Sequence, residues 1–92
     1  MSVAKFNDPF AVPVGTTPVM LFDLNPARGA LRIQVLGSNA IYLGASNAVT
    51  ATTGIQIPAN GPLYEPLVAD RQAVWACTAT GSSDVRCQEG AH

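Results

Sequence analysis

Residues 30–36, Ala-Leu-Arg-Ile-Gln-Val-Leu, decide the fold class of this chain. Aliphatic residues occupy every second position and alternate with the polar Arg32 and Gln34. A period of two residues is typical of a β-strand with one buried face. Residues 37–39, Gly-Ser-Asn, follow and favour a turn. The stretch therefore predicts a strand whose aliphatic side chains enter a core.

Runs of the same kind lie on both sides of this stretch, separated by residues typical of turns. No window shows a sustained 3.6-residue apolar period, so we expect almost no helix. About eight short strands at spacings of 8–12 residues predict an all-β domain, a small antiparallel β-sandwich or barrel of jelly-roll-like type. The predicted strands are residues 19–22, 30–36, 41–43, 49–52, 55–57, 63–68, 73–80 and 84–89, of which 63–68 contains Pro66 and is expected at an edge or bulge.

The last two predicted strands, residues 73–80 and 84–89, are separated by a short glycine-serine loop and predict a β-hairpin. In that hairpin Cys77 lies directly opposite Cys87. Directly opposed residues have Cβ atoms ~4.5–5.5 Å apart, whereas a disulfide prefers ~3.8 Å. Two alternatives follow: buried reduced thiols that pack as small hydrophobic side chains, or a possible cross-strand disulfide pair.

Residues 1–18 predict an extended N-terminal arm that precedes a β-sandwich domain at residues 19–90. Three prolines in the arm, at positions 9, 13 and 18, restrict its backbone to extended conformations. The arm lies either along its own sheet as an edge strand or against a neighbouring subunit, and the prolines favour the second arrangement because each removes a ladder donor. Its candidate contact residues are Phe6, Phe10, Val12 and Val14.

The composition indicates one small domain with little surface charge. Of the 92 residues, 48% are apolar and only 12% are charged, about half of the roughly 25% that is usual. We therefore expect a partner to cover part of the surface. A net charge of −1 and five scattered basic residues argue against nucleic-acid binding. The sequence shows no signal-peptide pattern and no run of ~20 apolar residues, which predicts a product made in the cytoplasm with no membrane contact.

Residues for catalysis are missing, so we expect no enzyme, no cofactor and no metal site. The only histidine is His92, at the last position, where chains are usually frayed. Glycines do not follow a nucleotide-binding pattern, and two cysteines alone are too few ligands for a structural metal. The carboxylates are dispersed, and a chance glycosidase-like pair at ~5–10 Å is the one enzymatic alternative.

Three large aromatic residues are candidates for contact with a partner: Tyr42, Tyr64 and Trp75. Aromatic side chains dominate interface energies and also stack on sugars. Within strands, however, residues such as Trp75 and Tyr42 more often pack in the core. Core, protein contact and sugar binding therefore stay open for each of them.

Several motifs between residues 31 and 89 occur together in a recognisable order. They are Arg-Ile-Gln-Val at 32–35, Ala-Ile-Tyr-Leu-Gly at 40–44, Val-Thr at 49–50, Gly-Ile-Gln-Ile at 54–57, Val-Trp-Ala at 74–76, Gly81, and Asp-Val-Arg at 84–86. In this order they resemble small β-sandwich structural proteins of tailed bacteriophages. Cys77 and Cys87 depart from the aliphatic residues of that pattern.

The resemblance implies a virion structural protein of the capsid decoration, or cement, type. Such a protein lies on the capsid surface, bridges major capsid subunits and forms a homo-oligomer, with a trimer favoured and a dimer second. Two alternatives remain: a carbohydrate-binding or host-surface-binding module, and a head-tail or tail component. A carbohydrate module exposes its aromatic residues in a shallow polar groove, whereas a cement protein buries them at contacts.

Overall fold

The computed structural model describes residues 5–66 and 71–91, and this part of the chain is an all-β sandwich without a helix. Two antiparallel sheets pack against each other, as the sequence predicts. The eight strands are β1 (Lys5–Phe6), β2 (Phe10–Val14), β3 (Val19–Phe22), β4 (Arg28–Val35), β5 (Ile41–Gly44), β6 (Ile55–Ile57), β7 (Val74–Thr78) and β8 (Ser83–Ala91).

Strand β8 is the centre of the first sheet, which we call sheet A. Strand β4 pairs along one side of β8, while β1 and β2 pair end to end along the other side. β8 has nine residues, so it is long enough to pair with two short strands on one edge. The second sheet, sheet B, has the order β3-β7-β5-β6.

The core lies between the two sheets and confirms the alternation of residues 30–36. Leu31, Ile33 and Val35 are buried, while Gln34 is exposed on the outer side of sheet A. Both sheets contribute aliphatic and aromatic side chains to the same cluster. Its members are Val14, Leu21, Phe22, Leu31, Ile33, Val35, Ile41, Leu43, Ile57, Val74, Ala76, Val85 and Cys87.

Two of the predicted strands differ in the structure. Residues 50–54 form a turn in place of the predicted strand at 49–52, because the amide nitrogens of Thr53 and Gly54 both donate to the carbonyl of Thr50. β-branched residues favoured a strand there, but local hydrogen bonds in a threonine-rich turn compete with a ladder. Of residues 63–68, the described part makes only an isolated bridge between Tyr64 and Ile33, and positions 67–68 lie outside the described residues.

The predicted hairpin of the last two strands is wrong. β7 pairs with β3 and β5, whereas β8 pairs with β1, β2 and β4, so the short connection joins opposite sheets. Gly81 has a φ of 65°, and its carbonyl accepts a hydrogen bond from the Thr78 hydroxyl, which turns the chain out of sheet B. The Thr78 amide donates to Gly15 instead of to β8. Loop length and strand pattern alone do not distinguish such a connection between two sheets from a hairpin within one sheet.

The described part of the N-terminal arm takes the edge-strand alternative. Residues 10–14 pair with β8 along their whole length, and the Val14 side chain is fully buried in the core. The strands at residues 5–6 and 10–14 therefore pair with their own sheet and do not support the predicted contact with a neighbouring subunit. Positions 1–4 lie outside the described residues. Pro13 fits because, among the described strands, β2 has a partner on one side only, so its nitrogen can face away from the ladder.

Candidate interaction surface

Charge is divided unequally between the two sheets. The strands of sheet B contain no charged residue, and the sequence has none from residue 33 to 64 or from 72 to 83. The strands of sheet A contain six charged residues: Lys5, Arg28, Arg32, Asp84, Arg86 and Glu89. The strands of sheet B are therefore neutral, whereas those of sheet A are charged.

The outer side of sheet A is polar and its charges are paired. Arg32 forms an ion pair with Glu65 at 2.7 Å, and its guanidinium lies 3.9 Å from the centre of the Phe6 ring. Arg86 forms an ion pair with Asp84 at 2.5 Å. Because Phe6 is covered by Arg32 in this arrangement, its contact is with its own sheet.

The outer side of sheet B is apolar at its centre. Met20 of β3 lies opposite Trp75 of β7, and Tyr42 of β5 lies opposite Cys77 and Gln56. Met20 is 43% exposed, Tyr42 and Trp75 are half-buried, and Gln56 is exposed. Tyr42 and Trp75 are diagonal neighbours on one side of the sheet, a separation that large side chains can bridge.

The connection at residues 45–54 folds back over this outer side. Val49 packs against Gly44 and Gly54, and a Cβ atom added to Gly44 would lie only 2.5 Å from the Val49 Cβ atom. The Cys77 thiol donates a weak hydrogen bond to the Val49 carbonyl at 3.7 Å. Glycine at residue 44 therefore permits a close contact that holds the loop on the sheet. We call this surface the neutral face; it comprises Met20, Tyr42, Gln56, Trp75 and residues 45–54.

The other predicted contact residues lie elsewhere. Phe10 is 40% exposed and packs edge-on against Phe22, with ring centres 5.8 Å apart. Val12 is half-buried against the core, and Val14 is inside it. Tyr64 exchanges backbone hydrogen bonds with Ile33 of sheet A. The structure thus brings together Tyr42 and Trp75, but it does not combine all three aromatic residues in one groove.

The two cysteines are buried free thiols on opposite sides of sheet B. Cys87 belongs to the core between the sheets, whereas Cys77 lies on the outer side below Val49. Their predicted direct opposition is wrong, because it assumed that β7 and β8 form a hairpin. Burial raises the pKa of both thiols, that of Cys87 to about 12, so neither is a reactive thiolate at neutral pH.

Arg28 is a structural residue that no sequence pattern singles out. Its side chain is fully buried, and it donates hydrogen bonds to the Glu89 carboxylate at 2.8 Å and to the carbonyls of Gln72 at 3.0 Å and Asp23 at 2.6 Å. Its guanidinium also lies 5.1 Å from the centre of the Phe22 ring. Four separate segments meet at this one cation. An arginine at the start of a strand carries no sequence signal for such a role.

Other possible sites are limited in the described residues. An apolar cavity of about 170 Å³ lies at one end of the core, lined by Leu31, Leu43, Val74 and Tyr64 among others. In residues 5–66 and 71–91, no three His, Cys, Asp or Glu side chains come together as a possible metal site. The same residues contain no helix long and apolar enough to span a membrane. His92 lies outside the described residues.

Comparison with known proteins identified no relative. No protein-family model, no curated protein and no solved structure matches the chain.

Proposed function

We propose that this chain is a virion structural protein, a capsid decoration protein that stabilises a phage head by bridging major capsid subunits. The observation that supports the proposal most is the lack of charged residues in the strands of sheet B. A free monomer gains solubility from surface charge, so a sheet whose strands carry no charge favours a protein that is covered in an assembly. The resemblance of residues 31–89 to tailed-phage proteins supplies the kind of assembly.

In this proposal the protein stabilises the shell through thermodynamic linkage. A protein that binds only the assembled shell lowers the free energy of that state and not of the free subunits. Specific contacts of standard size bury about 800 Å² on each partner, and many identical copies add their contributions over the shell. The chain then needs no catalytic group, cofactor or nucleic-acid contact, and we expect it to act as a homo-oligomer.

The proposal is tested with shells of the phage whose genome encodes this chain, assembled without it. Purified protein should bind these shells to a fixed number of copies and raise the temperature at which they break open. Electron microscopy should then place the added density on the outside, across junctions of major capsid subunits. Density in the neck or tail, or no saturable binding to shells, would contradict the decoration role.

A carbohydrate-binding module is the second candidate, and the pairing of Tyr42 with Trp75 favours it. Two half-buried aromatic residues beside the exposed amide of Gln56 provide a stacking surface and a hydrogen-bonding group. Trp75 is the only tryptophan of the chain, so its fluorescence reports on this site. Saturable fluorescence changes with a glycan, lost in Tyr42→Ala, would favour this candidate over capsid decoration.

A further inference from the structure

A second cavity lies on the outer side of sheet A, on the opposite side of the sandwich from the neutral face. Its volume is about 250 Å³. Two cations and two amides from β4 and β8 line it in the described part of the chain: Arg32, Gln34, Arg86 and Gln88. Each arginine lies opposite a glutamine in the ladder, so the two arginines are diagonal neighbours, roughly 7–8 Å apart, a separation that long side chains bridge.

The guanidinium of Arg32 is held in place but keeps donors for a ligand. Its Nε donates to the Glu65 carboxylate at 2.7 Å, and its Nη1 donates to the Gln88 side-chain oxygen at 3.3 Å. The Phe6 ring lies against the same guanidinium, with 3.9 Å to the ring centre. Both N–H groups of Nη2 have no partner in the described residues. A side chain fixed in this way loses little conformational entropy when it binds a ligand.

Arg86 and Gln34 have further donors that the protein does not use. The Nη1 atom of Arg86 lies 2.5 Å from the Asp84 carboxylate, but the two groups form no hydrogen bond. The exposed amide of Gln34 also lacks a side-chain partner in residues 5–66 and 71–91. Guanidinium groups only donate, and their strongest partners are the oxygens of an anion. The cavity therefore suits an oxyanion.

The charge around the cavity favours a monoanion. Among the described residues, neither Glu65 nor Asp84 lines the cavity, so the two arginines supply the charge of its wall. Each carboxylate is nonetheless within ion-pair distance of one arginine, so these four groups have no net charge. A dianion such as phosphate is repelled by the two carboxylates more strongly than a singly charged carboxylate ligand.

The remaining lining favours an organic ligand. Pro9 and Leu63 complete the wall and provide apolar surface beside the polar groups. Ligand sites typically combine apolar walls with a few polar groups that fix orientation. Because a cavity of about 150 Å³ can hold benzene, the larger cavity on sheet A has room for a single ring with a carboxylate.

We propose that this cavity is a binding site for a small organic carboxylate. Arg32 and Arg86 donate to the carboxylate oxygens, and Pro9 and Leu63 contact the apolar part of the molecule. The planar guanidinium matches a carboxylate with two parallel hydrogen bonds, which adds geometric specificity. The site belongs to sheet A alone, so it does not depend on the proposed capsid role.

Benzoate is the probe, and benzamide, which has the same ring without the charge, is its matched control. In two-dimensional amide NMR spectra of the full chain, millimolar benzoate should shift signals of β4 and β8 beside the cavity until they saturate. Benzamide and inorganic phosphate should bind more weakly, and the signal of Trp75 on sheet B should not move. No saturable shift with benzoate, equal binding of benzamide or phosphate, or shifts centred on sheet B would overturn the proposal.

Three substitutions separate the site from general attraction by charge. Arg86→Gln removes one cation of the cavity, and Gln34→Glu places an anion opposite it; each should raise the benzoate dissociation constant at least roughly tenfold. Arg71→Gln removes the same charge from an exposed position outside the cavity wall and should leave that constant unchanged.

All three substituted side chains are at least partly exposed, so the variants are expected to fold, which their ligand-free spectra verify. If one of the two cavity variants does not fold, the other provides the comparison with Arg71→Gln. Equal weakening by the cavity variants and by Arg71→Gln, or benzoate binding that survives both cavity substitutions, would overturn the site.

Discussion

Replacing Arg28 by methionine tests how much one buried cation stabilises this sandwich. The change leaves the side-chain length similar but removes the donors to Glu89, Gln72 and Asp23. Each lost hydrogen bond to a charged group costs about 1.5–3 kcal/mol, and loss of one partner of a buried ion pair costs about 3–5 kcal/mol in total. Glu89 keeps 23% of its side chain exposed, so water partly replaces the arginine. We expect a loss near the lower end, about 3 kcal/mol.

Arg32→Met is the matched control on the same strand. Arg32 also has an ion pair, to Glu65, but these side chains are 36% and 44% exposed. Exposed pairs contribute about 0–1 kcal/mol, and a cation–aromatic contact such as that with Phe6 adds little more at an exposed site. We therefore expect a loss of about 1 kcal/mol for this variant.

Urea unfolding followed by Trp75 fluorescence measures the difference. With a slope of about 1 kcal/mol per molar urea for a small domain, the two midpoints should differ by roughly 2 M. Equal losses in the two variants would show that burial does not determine the contribution of Arg28. A slope that changes with the substitution would point to an altered denatured state, and the comparison would then be repeated by calorimetry.

Three further predictions concern the arm and the cysteines. Deleting residues 1–14 should lower the melting temperature sharply and promote aggregation, because it removes the buried Val14 and uncovers one edge of β8; a truncated protein that melts like the wild type would contradict the pairing of β2. Reductant should leave the melting temperature unchanged, since both thiols are free. The pKa of Cys87 is raised from 9.0 to about 12, so the folded state holds this proton more tightly than the unfolded state. Its contribution to stability is complete below pH 9.0 and is lost as pH rises to about 12, and Cys87→Ala should therefore show a smaller loss of stability across this range.

Local sequence patterns predicted the positions of the strands better than the pairing between them. Alternation in residues 30–36 depends on neighbouring positions only, and the structure confirms it. Pairing of β8 with β2 and β4 joins residues far apart in the sequence, and nothing local distinguishes it from a hairpin with β7. The prolines favoured contact with a neighbouring subunit because their effect on pairing also depends on the tertiary fold. Pro13 disrupts a ladder only if its nitrogen faces a partner strand, and the sequence does not show which edge of β2 is paired.

The neutral face was visible in the sequence only in part. The charge-free run from residue 33 to 64 can be read directly, but its meaning depends on which strands share a sheet. Trp75 and Tyr42 were candidates without a known relation, and pairing of β5 with β7 brings them together. Val49 was assigned to a strand, since the fit of its side chain between two glycines is a tertiary contact without a local pattern.

The position of β8 in sheet A has a consequence for synthesis. β1, β2 and β4 all leave the ribosome before β8, yet each of them pairs with β8. A nascent chain that ends before residue 83 can therefore complete sheet B but has no central strand for sheet A. Contacts between distant parts of a sequence also form slowly. The early strands consequently cannot form their native ladder until β8 has emerged.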